Sequence, residues 1–325
     1  MANEIPITVE HVEAIARQRL PKNVLDYYAS GADDQTAVKR NRTDFDRLYI
    51  LPRVLRDVAK VDTSTRLLGH TYPLPIGIAP TAMQKLVSGG AAGYEALVLT
   101  VDTPVLGNRL NERLNPLVLP KGLKLANIAS LYGQKEGNPT SNRTLMNARS
   151  AKEATEILRA MGDQAHSASL TWGETIKFLR QNTSLKIILK GILAPEDADL
   201  AIEHGADALI VSNHGGRQLD SAPSTIQALP EIVAIVRRRI PVIFDGGIRR
   251  GSDVFKALAL GADFVLVGRP TLWGLAFDGR NGVETVINIL ERELSRTMAL
   301  SGVVNIQNIN QAFLRHLEGG RLSKI

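Results

Sequence analysis

The 325-residue sequence contains no cysteine, which excludes disulfides, thiolate nucleophiles and Cys-ligated metals together. Aromatic residues are scarce, at 5%. Although the formal charge is +6, the basic residues are scattered, with none of the basic and aromatic striping that tracks nucleic acid. The one tight cluster, Arg237-Arg238-Arg239, closes a predicted helix, where cations complement the helix dipole. No apolar run approaches the roughly 20 residues of a membrane span, and the opening MANEIPITVE lacks the basic start and apolar core of a secretory signal. Neither nucleic acid nor membrane is therefore expected as a partner. The remaining balance, 44% apolar and 22% charged, is that of an ordinary globular protein. The end Ser323-Lys324-Ile325 differs at one position from the Ser-Lys-Leu peroxisomal address, so the expected location is cytoplasmic or peroxisomal.

Short apolar runs at Pro75–Ala79, Leu97–Asp102, Lys186–Lys190, Ala208–Ser212, Val242–Asp245 and Phe264–Val267 read as strands. Helical segments separate most of them, which implies parallel strands with right-handed crossovers. His204-Gly205-Ala206-Asp207 and Leu260-Gly261-Ala262-Asp263 each precede a strand, an internal echo that fits repeating βα units. The expected fold is an α/β barrel of the (β/α)8 type with about six recognisable strands, forming a single domain over 1–325. Residues 1–60 are read as an N-terminal helical segment and 107–181 as a long, lid-like excursion.

Two blocks carry chemistry. SNHGGRQLD, 212–220, follows an apolar strand with an imidazole and a guanidinium three residues apart. That places a proton acceptor and an anion clamp at the C-terminal rim of a sheet, where barrels do chemistry. The second block runs through Asp245-Gly246-Gly247-Ile248-Arg249, a helix capped by Ser252 and Asp253, a strand, and Gly268-Arg269. Glycine-rich loops, helix N-termini and fixed cations at two neighbouring strand ends suit a phosphate.

Together these motifs resemble the FMN-dependent 2-hydroxy-acid oxidoreductases, the family of glycolate oxidase, lactate oxidase and related dehydrogenases. The resemblance rests on LPKNVLDYYASGADDQ, PIGIAPTAMQK, LTVDTP, ILKGI, VSNHGGRQLD and FDGGIRRGSDVFKALALGADFVLVGRP. It implies FMN at the C-terminal rim of a barrel, a small 2-hydroxy-carboxylate as substrate, and O2 or another electron acceptor. His214 resembles the active-site base and Asp102 its orienting carboxylate. Arg217 and Tyr27 resemble the substrate-carboxylate clamp, with Arg109 as a second guanidinium. Lys190 looks like the cation beside the flavin pyrimidine ring. Pro80, Thr81, Ala82 and Thr100 would line the isoalloxazine, and Ser212 would join the flavin site. Asp245, Gly246, Gly247, Arg249, Gly268 and Arg269 would hold the ribityl-phosphate chain. No metal is implied, and a homo-oligomer is among the expectations because oligomers are common in the family.

The chain departs from the family pattern between residues 85 and 93. A typical member has two further strands there, the second ending in a Gln and a Tyr; here only Lys85-Leu86-Val87-Ser88-Gly89-Gly90-Ala91 separates the flanks. Two consecutive βα units are read as absent. Two readings stay open: an oxidoreductase that works with a shortened barrel, or an impaired, flavin-binding remnant or incomplete sequence.

Overall fold

The computed structural model describes residues 6–81, 93–118, 140–160, 167–318 and 321–324. Its strands are, in chain order, β1 (Leu48–Ile50), β2 (Thr65–Leu67), β3 (His70–Tyr72), β4 (Ile76–Ile78), β5 (Ala96–Thr100), β6 (Lys186–Ile192), β7 (Ala208–Val211), β8 (Val242–Asp245), β9 (Phe264–Val267), β10 (Leu314–Glu318) and β11 (Arg321–Ser323). The six that the sequence predicts, β4 to β9, form one sheet in the order β4-β9-β8-β7-β6-β5. Every neighbouring pair in it is parallel. The pairing of the first of these strands with the last is the one that closes a barrel. Among the described residues the sheet is open only between β4 and β5, the strands flanking residues 82–92 in sequence, where a barrel of this type carries eight strands in all.

The five other strands were not predicted. β1, β10 and β11 form a small antiparallel sheet, and β2 and β3 a hairpin. They are only three to five residues long, too short for an apolar alternation to stand out from the flanking loops.

Strand residues alternate between two faces, and here both are covered. Ile187, Leu189, Leu209, Val211, Val242, Phe244, Val265 and Val267 join the main core with the crossover helices. On the other face, Ile188, Ala208, Ile210, Ile243 and Phe264 form a separate apolar cluster, with Leu67 and Leu68 of the hairpin packed against it. The hairpin thus plugs the lower end of the sheet's concave side, and Tyr72 meets Phe264 edge-to-face at 5.6 Å. Two residues further along the same register come Lys190 after Ile188, Ser212 after Ile210 and Asp245 after Ile243. The apolar floor therefore becomes a polar rim without any change in strand direction.

The crossovers after β6, β7 and β8 are the helices Pro195–Glu203, Thr225–Val236 and Gly251–Ala259, and the kinked Arg269–Leu300 helix follows the last strand of the sheet, β9. The Gly251–Ala259 helix starts ahead of the expected caps Ser252 and Asp253, which lie inside its first turn. Its N-terminus is held by Asp253, whose Oδ2 accepts from the backbone N–H groups of Arg249 and Arg250, and not by Ser252. Helices Val9–Arg19, Lys22–Ala29 and Thr36–Thr43 make up the expected N-terminal segment, the first packing on the Arg269–Leu300 helix. Within 107–181 the described residues form helices Leu110–Leu114, Thr140–Met146, Ala151–Ala160 and Trp172–Asn182. Residues 119–139 and 161–166 of that stretch, with Ala82 and Ile325, lie outside the described residues. Among the described residues no helix is long and apolar enough to cross a membrane.

Phe244 is fully buried and meets Phe45 of the N-terminal segment edge-to-face at 6.1 Å. Phe244→Ala is expected to cost about 3–5 kcal/mol, read as a lower midpoint in denaturant unfolding with an unchanged slope.

Candidate active site

At the rim, β7 passes into Ser212-Asn213-His214. The Ser212 hydroxyl accepts from the His214 backbone N–H at 3.1 Å. Asn213 and Asn41 exchange reciprocal amide hydrogen bonds at 2.7 and 2.8 Å, which fastens the loop to the N-terminal helices. His214 sits at φ +56°, a left-handed conformation uncommon for a residue other than glycine and one that marks functional loops.

His214 Nδ1 lies 2.8 Å from Asp102 Oδ1, and the same oxygen accepts from Thr103 Oγ1 at 3.0 Å. Asp102 reaches it from the end of β5, two strands from β7. The intervening strand β6 makes room with a register shift between Lys190 and Ile192. Gly191 occupies that shift at φ +113°, and a Cβ there would lie 2.6 Å from the Asp102 Cβ. Both the conformation and the close approach require glycine.

Burial pushes the His214 pKa below its ordinary value; the Asp102 hydrogen bond opposes this, and the charges of Lys190 and Arg217 reinforce it. For Asp102, burial works against ionisation. The hydrogen bond from His214 and the charges of His214 and Lys190 outweigh it, leaving the pKa below the usual carboxylate value. At neutral pH the pair is a neutral imidazole beside a carboxylate, which is the state of a general base.

Arg217 stands over the Tyr27 ring, 5.4 Å from its centroid, and donates from Nη1 to the carbonyls of Tyr27 and Ser30 at 2.7 and 2.9 Å. Burial, and next the neighbouring Arg109, depress its pKa to about 10, so it remains a cation at neutral pH. Arg109 is itself buried. All three of its guanidinium nitrogens are engaged: Nη1 with Glu112 at 3.1 Å, Nε with the Arg217 carbonyl at 3.4 Å and Nη2 with Gln218 at 3.5 Å.

Lys190 is buried and lies 3.8 Å from Asp245 Oδ2, while Thr100 is its register partner on β5. Pro80 is exposed and Thr81 half-buried just beyond β4. On the phosphate side, Gly246 and Gly247 both have positive φ, and a Cβ on Gly247 would fall on the Asn41 carbonyl. Gly268 leads into the last helix as its N-cap. Arg269 is committed to backbone carbonyls, those of Tyr28, Gly215 and Ser30, at 2.9–3.0 Å. Arg249 pairs with Glu13 at 3.5 Å. Burial and the Arg42 charge lower the Arg249 pKa to about 10, and burial with Arg217 and Arg249 pushes that of Arg269 well down.

The model of the family described as FMN-dependent dehydrogenase matches this chain over residues 16–91 and 89–316. The chain belongs to the FMN-dependent dehydrogenase family. It is 38% identical to 2-hydroxyacid oxidase of Dictyostelium discoideum over 368 residues, covering 95% of this chain and 90% of that one. It is 40% identical to glycolate oxidase 3 of Arabidopsis thaliana over 370 residues, covering 96% of each. Among solved structures it is similar to a soluble mutant of the membrane-associated (S)-mandelate dehydrogenase from Pseudomonas putida, with 31% identity and a TM-score of 0.81 over 95% of this chain and 99% of that one.

These matches locate the shortening. The family model matches in two pieces that meet at residues 89–91, inside the joint read from the sequence. The first alignment spans 368 positions, of which 95% of a 325-residue chain fills about 309; the relative alone fills close to 60.

FMN is the cofactor of the FMN-dependent dehydrogenase family, and the residues at the rim fit it. Seven buried side-chain polar atoms lack a hydrogen bond among the described residues. Four of them, Thr81 Oγ1, Asp102 Oδ2, Asp245 Oδ1 and Arg249 Nε, which has only its 3.5 Å ion pair with Glu13, belong to residues expected at the site, Asp102 as the partner of His214 and the others toward flavin. Buried polar atoms are rarely left unpaired, and their gathering at one rim suits a polar ligand. The crowding of Arg217 and Arg249 around Arg269, whose pKa both lower, suits one that carries phosphate.

Two residues of the site escaped the sequence reading. Gln218 lies inside the SNHGGRQLD block. Its Nε2 donates to the carbonyls of Asp102 and Val105 at 2.9 and 2.8 Å, and its Oε1 accepts from Gly107 N at 3.1 Å. It ties the loop after β5 to the loop after β7, and its place beside His214 and Arg217 in sequence was the available signal. The other is Glu112, the partner of Arg109. Gln218→Leu is expected to loosen Asp102 from His214, so the His214 titration followed by NMR should move to lower pH, since Asp102 is what holds it up.

Proposed function

We propose that this chain oxidises a small 2-hydroxy acid to the 2-oxo acid, with His214 as the base, Asp102 as its partner, and Arg217 with Tyr27 as the carboxylate clamp. The 2.8 Å Asp102–His214 contact beside a buried guanidinium carries this reading. Arg217 fixes the substrate carboxylate, as a planar, permanently charged fork does better than an ammonium. With Nδ1 engaged by Asp102, His214 Nε2 is the nitrogen that takes a proton from the substrate. Asp102 favours the imidazolium that results, and Lys190 holds a positive charge below the site. FMN, when bound, supplies the acceptor for the substrate's electron pair, which O2 or another acceptor later removes. Asp245, Gly246, Gly247, Arg249, Gly268 and Arg269 would hold its ribityl-phosphate chain, with Thr81, Thr100 and Ser212 nearer the ring.

The open edge between β4 and β5 favours a second reading, a protein that binds flavin without turning substrate over. The visible spectrum of the FMN-supplied protein, before and after anaerobic addition of a 2-hydroxy acid, separates the two. Bleaching of the flavin band supports the oxidoreductase, and a band that persists supports the binding protein. Failure to take up FMN overturns both.

His214→Asn is expected to keep the flavin band and slow bleaching by roughly 10²–10⁴-fold, the usual contribution of a general base. In the unaltered protein, kcat/KM should fall as pH drops through a pKa below the ordinary histidine value of 6.5, because protonation removes the base.

A further inference from the structure

Two guanidinium groups from distant parts of the chain converge on one carboxylate oxygen at the phosphate end of the rim. Glu13 Oε2 lies 2.8 Å from Arg42 Nη2 and 3.5 Å from Arg249 Nε, while its Oε1 takes Arg17 at 2.7 Å. Burial raises the Glu13 pKa, but Arg249, Arg17 and Arg42 outweigh it and leave the carboxyl below its ordinary value. Arg42 belongs to the Thr36–Thr43 helix, and its neighbour Asn41 sets that helix against the glycine loop after β8. A Cβ on Gly247 would lie 1.8 Å from the Asn41 carbonyl oxygen. The Arg42 side chain is 44% exposed. Nη2 donates to Glu13, and Nε and Nη1 have no hydrogen bond among the described residues. Burial and next the Arg42 charge lower the Arg249 pKa. The Arg42 charge also acts on Arg269, after burial, Arg217 and Arg249.

We propose that Arg42 is a further phosphate-binding residue of the flavin site, carried to the loop after β8 by the N-terminal segment and held beside Arg249 by Glu13. This rests on the reading of Gly246, Gly247, Arg249 and Arg269 as the phosphate site. A phosphate monoester brings nearly two negative charges and three strong acceptor oxygens. Arg269 shares its donors with three backbone carbonyls, and Arg249 gives Nη1 to the Ile248 carbonyl. A phosphate between them therefore has acceptor capacity for another donor. The free N–H groups of Arg42 supply it while Nη2 stays on Glu13, and guanidinium groups suit phosphate oxygens. The carboxylates nearby do not cancel this charge. Glu13 is a single anion among Arg17, Arg42 and Arg249, Asp253 is taken up by the backbone N–H groups of Arg249 and Arg250, and Glu10 is exposed.

Riboflavin is FMN without the phosphate, so the ratio of their affinities for the full chain, read from flavin fluorescence, isolates the phosphate site. Arg42→Gln is expected to lower the preference for FMN at least about tenfold, the loss of one charge-assisted hydrogen bond. Arg17→Gln breaks the other half of the Glu13 cluster and is expected to leave the preference within about threefold. A purely structural role of Arg42 would weaken both flavins alike and leave the ratio where it was. Arg249→Gln separates the two ways of failing. If it lowers the ratio and Arg42→Gln does not, the proposal is overturned and the phosphate site stands. If neither changes the ratio, or the unaltered protein does not prefer FMN, the site is wrong and the proposal falls with it. An equal fall in Arg17→Gln traces the effect to the ion-pair cluster and overturns the role of Arg42. Should Arg42→Gln not fold, phenylglyoxal labelling of the unaltered protein, mapped by mass spectrometry, takes its place. FMN is expected to protect Arg42 and riboflavin is not; equal labelling with the two flavins overturns the proposal.

Discussion

The 2.8 Å contact between Asp102 and His214 crosses β6, a strand to which neither residue belongs, and much of the rim is arranged to permit it. Asp102 leaves β5 and His214 leaves β7, so the strand between them has to step aside. It does so at Gly191, where a positive φ and the absence of a side chain let the Asp102 carboxylate settle against the β6 backbone. Gln218 then binds the β5 loop to the β7 loop from above. Asn41 and Asn213 bind the β7 loop to the N-terminal helices. A neutral imidazole beside a carboxylate follows from this geometry and from the burial that accompanies it.

The rim also concentrates positive charge in a place with little water. Arg217, Arg249 and Arg269 are all buried deeply enough for their pKa values to fall. Backbone carbonyls take up Arg269 and part of Arg217, while Glu13 pairs with Arg249 and Glu112 with Arg109. Such an arrangement costs stability in an isolated domain and is typical of a site organised around an anionic ligand. The shortened sheet leaves this charge distribution standing, because β6 to β9, from whose ends Lys190, His214, Arg217, Asp245 and Arg269 arise, remain paired in an unbroken run. The two edges fall on β4 and β5, which carry Thr81 and Asp102 at their ends. Each of these strands has a single neighbour in the sheet among the described residues.

Much of this was legible in the sequence because it is local. Val242–Asp245 and Phe264–Val267 were read to the residue, since each is a short β-branched or aromatic run ended by glycine. The loop after β7 was legible because its histidine, arginine and glycines are packed into a few positions after an apolar strand. Glu112 and Gln218 were not, for a physical reason. A glutamate in a five-residue helix looks like any solvated charge until Arg109 and Asn142 close around it. Gln218 has no chemistry of its own and acquires a role only from carbonyls more than a hundred residues away in sequence. The hairpin β2–β3 is mostly exposed along its strands, so it shows no apolar period, although it seals the floor of the sheet.

The sequence by itself determined the order of the six parallel strands, the polar groups at their ends, the family, and the position of the shortening. All of these are written in residue type and spacing, which do not depend on how the chain closes. Only the tertiary structure decided which of those polar groups meet. Asp102 and His214 are 112 residues apart, and their contact depends on β5, β6 and β7 lying side by side in register. That Arg109 pairs with Glu112 was equally out of reach of the sequence. A buried guanidinium pairs with the nearest available carboxylate, and which one is nearest is settled by packing.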